Sequence, residues 1–339
     1  MNPDPSLACQ LEFRPYHRPF RQPLQTAHGP WTVRQGILLR LRDGQGRVGW
    51  GEITPLPWFG SESLESALAC CAERAVGQWP DLLDTIPDSH PACQFGFETA
   101  WNSLVHSGQA RPAARLPQCA LLPAGIAALS AWKSLWQTGA QTFKWKIGVA
   151  PMEQEQEIFG QLTRLLPAEA LLRLDANGGL TPAATIAWLR VCDRTSQVEY
   201  LEQPLPPEQF ILLMQLAQQF RTPLALDESV ATLAQVQTCY QRGWRGVFVI
   251  KPAIAGFPSR LRQFCQQHRI DAVFSSVFET AIGRQAGLQL AAELGNGNRA
   301  TGYGTGHWFA EADRLNSTDV EVLWHHLSTT CSDRLIIPG

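Results

Sequence analysis

What this chain has little of narrows its function first. Its 339 residues carry 28 Lys and Arg against 30 Asp and Glu, a formal net charge of −2. The arginines are scattered and no basic run reaches cluster length, so there is no electrostatic footprint for nucleic acid or an anionic membrane surface. No apolar run approaches the ~20 residues that a membrane span needs. Met1-Asn2-Pro3-Asp4-Pro5 shows no basic stretch followed by an apolar one, so no secretory signal is read. Nine cysteines are an odd number, with no CxxC pair and no metal-finger spacing. Cys70, Cys71, Cys192, Cys239 and Cys265 fall in apolar helical patterns and read as buried free thiols, which suits a reducing compartment. The expected location is cytoplasmic. Charged residues at 17% and hydrophobic residues at 45% describe a core-forming globular protein.

What is present falls into two patterns. Residues 9–54 read as strands, with Asp43-Gly44 as a hairpin turn between Gly36–Arg42 and Arg47–Glu52. Ser61–Trp79 reads as a helix capped by Ser61, and Pro91–Val105 as a second, since proline suits the first helical turn. Strands followed by helices make an α+β module, and Pro112–Pro117 reads as the way out of it. Beyond Pro117 short apolar runs alternate with amphipathic helices. Strands are expected at 118–122, 142–147, 171–175, 198–202, 223–227, 246–250, 271–275 and 299–302, and Thr181-Pro182 marks one helix start. Alternating β and α predicts a parallel sheet, and eight strands close it into a modified (β/α)8-type barrel. The expected division is an α+β capping domain over 1–112 and a barrel over 113–306, with 307–339 packing back on the cap.

The chemistry sits at the ends of those strands. Lys146, Asp175, Glu202, Asp227 and Lys251 follow one another at steps of 24 to 29 residues, close to the ~30 residues of one strand–helix unit. In Phe143-Lys144-Trp145-Lys146-Ile147 the lysines share one face and the large apolar residues the other. A strand with lysines turned to water has the same pattern. A barrel strand, however, is covered by helices outside and packed inside, so the lysines point into the barrel mouth. Asp175, Glu202 and Asp227 end three consecutive strands. Each taken singly could be a helix N-cap, Asp175 with Asn177 most of all. Three in register would repel without a cation, and oxygen-only ligation selects Mg²⁺, with Mn²⁺ as a substitute, over Zn²⁺. Glu228, beside Asp227, is an alternative ligand. A cation between two lysines suits removal of a proton beside a carboxylate, because positive charge near a lysine favours its neutral, basic form.

These motifs resemble the enolase superfamily, in its muconate-lactonizing-like branch. The resemblance rests on Lys144-Trp145-Lys146, Arg173-Leu174-Asp175-Ala176-Asn177, Glu202-Gln203-Pro204, Asp227-Glu228-Ser229 and Lys251-Pro252, and it covers nearly the whole chain. Gly49–Pro57, Phe95-Gly96 and Ser275-Ser276 with Glu279 and Gly283 point within that branch to the dehydratase of menaquinone and phylloquinone biosynthesis. The resemblance implies metal ligation by Asp175, Glu202 and Asp227, with Lys146 as base and Lys251 as electrostatic stabiliser. The substrate it implies is 2-succinyl-6-hydroxy-2,4-cyclohexadiene-1-carboxylate, which loses water in a syn elimination. Lys144, Arg173 and Asn177 would hold charge and position, and Ser275 would meet the substrate carboxylate. Thr301-Gly302-Tyr303-Gly304 replaces the Asp-x-Asp with which dipeptide epimerases hold an amino group. His28 and Trp58 fall in segments resembling the two loops of the cap. The chain departs from the pattern at Val277, in place of a third serine, and at Leu180, in place of a tryptophan.

Three other readings use parts of the same pattern. An N-acylamino acid racemase would use both lysines, a Schiff-base aldolase would use one as nucleophile, and a binding protein on an enzyme scaffold would use neither. The expected partner is a small carboxylate substrate, not nucleic acid or membrane, and the sequence leaves the oligomeric state open, with a monomer among the possibilities.

Overall fold

Two sheets built on different rules divide the chain. The computed structural model describes residues 7–26, 29–106, 116–295, 297, 299–310 and 313–330. The first sheet is antiparallel, in the order β3 (Val48–Ile53), β2 (Gly29–Asp43), β1 (Leu7–Thr26), β4 (Val76–Trp79). The turn expected at Asp43-Gly44 spans residues 44–47. It is held by the Asp43 carboxylate, which accepts the Gln45 and Arg47 amides at 2.9 and 2.8 Å. The helix expected over Ser61–Trp79 is shorter. Ser63, not Ser61, is its cap, accepting the Ser66 amide at 3.1 Å, and α1 covers only Leu64–Glu73. Ser61 is taken up elsewhere, its hydroxyl accepting the Leu56 amide at 2.5 Å. Val76–Trp79 leaves the helix to pair with Leu7–Gln10, since the edge of β1 offers partners that the helix end cannot.

The second helix, α2 (Pro91–Val105), lies across β3 and is buried along most of its length. The Gly49-Trp50-Gly51 segment makes that approach possible. A Cβ on Gly49 would stand 2.2 Å from the Ala100 carbonyl oxygen, and one on Gly51 2.1 Å from that of Gly96.

The second sheet is parallel, in the order β11 (Ala272–Phe274), β10 (Val247–Ile250), β9 (Leu224–Leu226), β8 (Val198–Glu202), β7 (Leu171–Asp175), β6 (Thr142–Lys146), β5 (Cys119–Leu121). Between its strands run α3 (Ala128–Gln137), α4 (Met152–Leu165), α5 (Pro182–Cys192), α6 (Phe210–Gln219), α7 (Leu233–Gln241), α8 (Pro252–Ala255) and α9 (Pro258–His268). After β11 come α10 (Ala281–Leu294) and, at the far end, α11 (Val320–Thr330). Thr181 caps α5, its hydroxyl accepting the Ala184 amide.

The eighth strand expected at 299–302 is reduced to two bridges. Thr301 meets Gln118 and Gly302 meets Ser275, so this short segment closes the ring between β5 and β11. Glycines at 302 and 304 make a longer strand unfavourable there. The connection expected at Pro112–Pro117 and the division between 112 and 113 lie outside the described residues, apart from residues 116–117.

One continuous apolar cluster runs from Leu11 and Ile53 through Phe95 and Phe97 to Trp145, Trp188 and Tyr303. A smaller one joins Leu323, Trp324 and Leu327 of α11 to Tyr16 and Leu38 of the first sheet. Among the described residues no helix is long and apolar enough to cross a membrane.

Candidate active site

Six adjacent strands deliver their polar side chains to one end of the barrel. Lys146 ends β6, Asp175 ends β7 and Glu202 ends β8, and strand pairing puts Lys146 level with Asp175, and Asp175 level with Glu202. Asp227, Lys251 and Ser275 each follow the last residue of their strands, β9, β10 and β11. The apolar alternates of β6, Phe143 and Trp145, are fully buried toward the helices. That outward packing is why Lys144 and Lys146 face inward.

The lysines and carboxylates interlock. The Lys144 ammonium donates to Asp175 Oδ2 at 2.8 Å and to Glu202 Oε1 at 2.7 Å. The Lys251 ammonium is paired with Asp227 Oδ1. Lys146 stands apart from the carboxylates and reaches the Gln25 carbonyl of the cap at 3.4 Å. Asn177 lies within the site. Its amide closes on Asp175 Oδ1 at 3.1 Å and its side chain donates to Glu228 Oε1 at 3.1 Å.

Burial and like charge make this an expensive arrangement of carboxylates. Glu202 is pushed up to about 8, by burial first and then by the negative charge of Asp175. Glu228 is raised to about 7, by burial and then by Asp227 and Asp175. Burial alone would lower Lys144, but Asp175, Glu202 and Asp227 outweigh it and hold the ammonium well above its ordinary value. Asp175 goes the other way, because Lys144 outweighs the effect of burial. Among the described residues no three carboxylate, imidazole or thiol groups are drawn around one point. The carboxylates close on ammonium groups, which stand in for positive charge.

The donor set nevertheless fits a hard cation. All three groups are oxygen donors on adjacent strand ends, and Glu202 Oε2 is buried with no partner among the described residues. Glu228 Oε2 is orphaned in the same way.

Other residues expected at the site are distributed around it. The Ser275 hydroxyl reaches the Gly302 carbonyl at 3.4 Å. A Cβ on Gly302 would stand 2.5 Å from that hydroxyl, so only glycine leaves room for Ser275 at the mouth. Arg173 is not among the carboxylates of the mouth. It points into the barrel, pairing with Glu199 at 2.6 Å and with the Ala300 carbonyl at 2.8 Å. Trp58 is 40% exposed and meets the Trp31 ring edge to face at 5.1 Å. His28 lies outside the described residues. Val277 and Leu180 are both buried.

Two supports of the site carry no signal of their own in the sequence. Gln203, fully buried at a φ of 33°, accepts the Asp227 and Ser229 amides at 2.9 and 3.2 Å. The same side chain donates to the Leu205 carbonyl and the Ser229 hydroxyl, so it sets the backbone from which Asp227 projects. Glu155 of α4 accepts the amides of Gly148, Val149 and Ala150, fixing the loop that follows Lys146. Only the Glu-Gln-Pro motif pointed near Gln203, and nothing pointed to Glu155.

Comparison with known proteins identifies the family of the chain. Residues 12–104 match the family described as MenC, N-terminal domain, and residues 127–323 match the family described as enolase C-terminal domain-like. The o-succinylbenzoate synthase of Thermosynechococcus vestitus is 45% identical over 323 residues, which cover 93% of this chain and 98% of that protein. The o-succinylbenzoate synthase of Yersinia pseudotuberculosis is 30% identical, covering 82% and 85%. The crystal structure of o-succinylbenzoate synthase from Thermosynechococcus elongatus, complexed with Mg in the active site, superposes with a TM-score of 0.86 at 43% identity. It covers 94% of this chain and 99% of that one.

Proposed function

The chain belongs to the o-succinylbenzoate synthase family of the enolase superfamily, and on that premise we propose how its residues divide the work of dehydration. It is a lyase that takes water from 2-succinyl-6-hydroxy-2,4-cyclohexadiene-1-carboxylate to give 2-succinylbenzoate, in menaquinone or phylloquinone biosynthesis. The observation that carries the reading is the series Lys146, Asp175, Glu202, Asp227, Lys251 on five adjacent strand ends, with a lysine at each flank of three carboxylates.

Asp175, Glu202 and Asp227 would hold Mg²⁺, with Mn²⁺ as a substitute. When bound, the cation supplies fixed positive charge for the substrate carboxylate and for the negative charge that develops there. Lys146, the lysine not tied to a carboxylate, takes the ring proton beside the substrate carboxylate. The same Nζ, now an ammonium, gives that proton to the departing hydroxyl on the same face, so a C–H and a C–O bond break and water leaves. Lys251 on the far flank keeps its positive charge toward the enediolate. Lys144 binds Asp175 and Glu202 and keeps their oxygens in place. Asn177 orients Asp175 and Glu228, and Ser275 with Gly302 borders the substrate carboxylate. Arg173 acts at a distance, by packing the barrel interior under the carboxylates.

The two flanking lysines also suit racemisation of an N-acylamino acid, in which one removes a proton and the other returns it to the opposite face. The absence of acidic side chains at 301–304 leaves no partner there for a free amino group. A cytoplasmic setting is supported by the eight described cysteines, all buried and unpaired. The deciding experiment is incubation with the cyclohexadiene substrate and Mg²⁺, following the loss of its absorbance. An unchanged spectrum with folded protein would overturn the dehydratase reading, and turnover of N-acylamino acids alone would favour the racemase.

A further inference from the structure

The capping segment that follows β3 reaches the barrel mouth and ends in an aromatic ring, Phe59, whose face meets the Lys251 ammonium. Arg34 of β2 is almost fully buried, and its guanidinium donates to the Thr54 carbonyl at 2.5 Å and the Pro55 carbonyl at 2.8 Å. A third bond, to the Gln35 carbonyl at 2.8 Å, anchors it to its own strand. Three backbone carbonyls on one planar fork make the start of the segment rigid. The chain then turns through Pro57–Phe59, with the Phe59 amide closing on the Leu56 carbonyl at 2.8 Å. Gly60 follows at a φ of 99°, with its Cβ position 3.9 Å from Ala231, just beyond Asp227 and Glu228. The Phe59 ring is thereby delivered to the end of β10, and the Lys251 ammonium lies 4.0 Å from its centroid.

Lys251 is 9% exposed, and among the described residues the carboxylate paired with it is Asp227. An ammonium held from one side by a carboxylate swings about that contact, because the lysine stem has four rotatable bonds. A ring face on the other side removes that freedom, since the negative face of the quadrupole attracts the cation.

We propose that Phe59 is a positioning residue for Lys251, its ring face holding the ammonium by a cation–π contact that aims the charge at the reaction centre. This rests on the role given to Lys251 above. It ties closure of the cap to the charge geometry of the barrel. When the segment is seated, Lys251 is braced, and when it lifts, the brace goes with it. Arg34 is the strut that makes seating of the segment and placement of the ring one event.

Two measurements test the contact independently. In protein labelled with ¹³C at lysine Cε, the Lys251 resonance is identified by its loss in Lys251→Ala. Its Hε protons are expected upfield of the other lysines and at an ordinary position in Phe59→Leu. This readout needs neither substrate nor metal, and an unshifted resonance in the unmodified protein would overturn the proposal.

The second measurement replaces Phe59 with 4-fluoro-, 3,5-difluoro- and 3,4,5-trifluorophenylalanine, which weakens the ring quadrupole stepwise at nearly constant shape. The turnover number is expected to fall with each fluorine, to about a tenth at the trifluoro ring, with KM little changed. Phe59→Tyr should retain most turnover and Phe59→Leu should match the trifluoro ring. A flat fluorine series would reduce Phe59 to packing and overturn the proposal, while the dehydratase reading would stand. Failure of the unmodified enzyme to dehydrate its substrate would sink that reading and leave the resonance to decide the contact.

Discussion

At the scale of single residues, the carboxylates at the mouth are distinguished by what already holds them. Asp227 projects from a backbone fixed by Gln203, whereas among the described residues Glu228 is held by Asn177 alone and keeps one oxygen orphaned. Asp227→Asn is therefore expected to weaken Mn²⁺ binding, read by electron paramagnetic resonance, by about a hundredfold or more. Glu228→Gln should cost about tenfold, and the reverse order would move the ligand from 227 to 228. Lys146→Arg should be inactive, because guanidinium keeps its proton near neutral pH and cannot be the base. Lys146→Ala should also stop exchange of the substrate proton with deuterium. Lys251→Ala should lose about 3–4 kcal/mol of transition-state stabilisation. Near-normal turnover in Lys146→Arg would send the search for the base to Lys251.

Glu202 adds a pH dependence. Its folded value of about 8 lies above the ordinary 4.5. Its contribution to stability is thus fully present below pH 4.5 and is lost as pH rises through about 8. The melting temperature of the metal-free protein should fall across this window relative to Glu202→Gln, and parallel curves would contradict the raised value. These roles were readable in residue type and spacing. The Lys144 bridge between Asp175 and Glu202 was not, because it depends on the register of three strands.

At the scale of elements, the cap segment 55–59 and the loop after β11 meet on one cap ring, Trp31, which Trp58 approaches at 5.1 Å and Phe278 at 5.4 Å. Phe278 holds a φ of 66°, a conformation that bulky residues rarely adopt, and its ring meets Phe20 and Trp31 of the cap at 5.3 and 5.4 Å. The cap thus has a fixed edge at Phe278 and reaches the barrel mouth through residues 55–59. Replacing 55–59 with a glycine–serine linker should raise KM and slow turnover, while the barrel melts as before by circular dichroism. Unchanged kinetics in a folded variant would argue against a lid. The apolar run Pro55–Phe59 was visible in the sequence. Its seat on Lys251 was not, since the two lie far apart in the chain and only the barrel brings them together.

At the scale of the whole molecule, a fully buried carboxylate of the cap reaches into the barrel. Glu52 of β3 is fully buried and accepts the Tyr16 hydroxyl at 2.5 Å. It also accepts the Thr280 amide and hydroxyl at 2.8 and 2.6 Å and the Gly283 amide at 2.8 Å, at the start of α10. A carboxylate at a helix N-terminus satisfies donors that the helix leaves open. Glu52→Ala should cost about 2–4 kcal/mol of stability and speed amide exchange at 280–283. If exchange there were unchanged, the carboxylate would not be what seats α10 on the cap.

The sequence by itself determined the barrel, the antiparallel cap and the order of groups around the mouth. Strand periodicity and strand-end chemistry are local properties, and a parallel barrel turns a regular spacing in sequence into neighbours in space. Tertiary structure decided what local pattern cannot encode. The last strand shrank to Thr301 and Gly302, because closure of the ring asks only for one bridge to each side. Ser63 took the cap expected of Ser61, because the Leu56 amide claimed the other hydroxyl. Arg173 turned from the mouth to Glu199, and Lys144 turned to Asp175 and Glu202, because a buried charge goes to whichever opposite charge the neighbouring strands bring within reach.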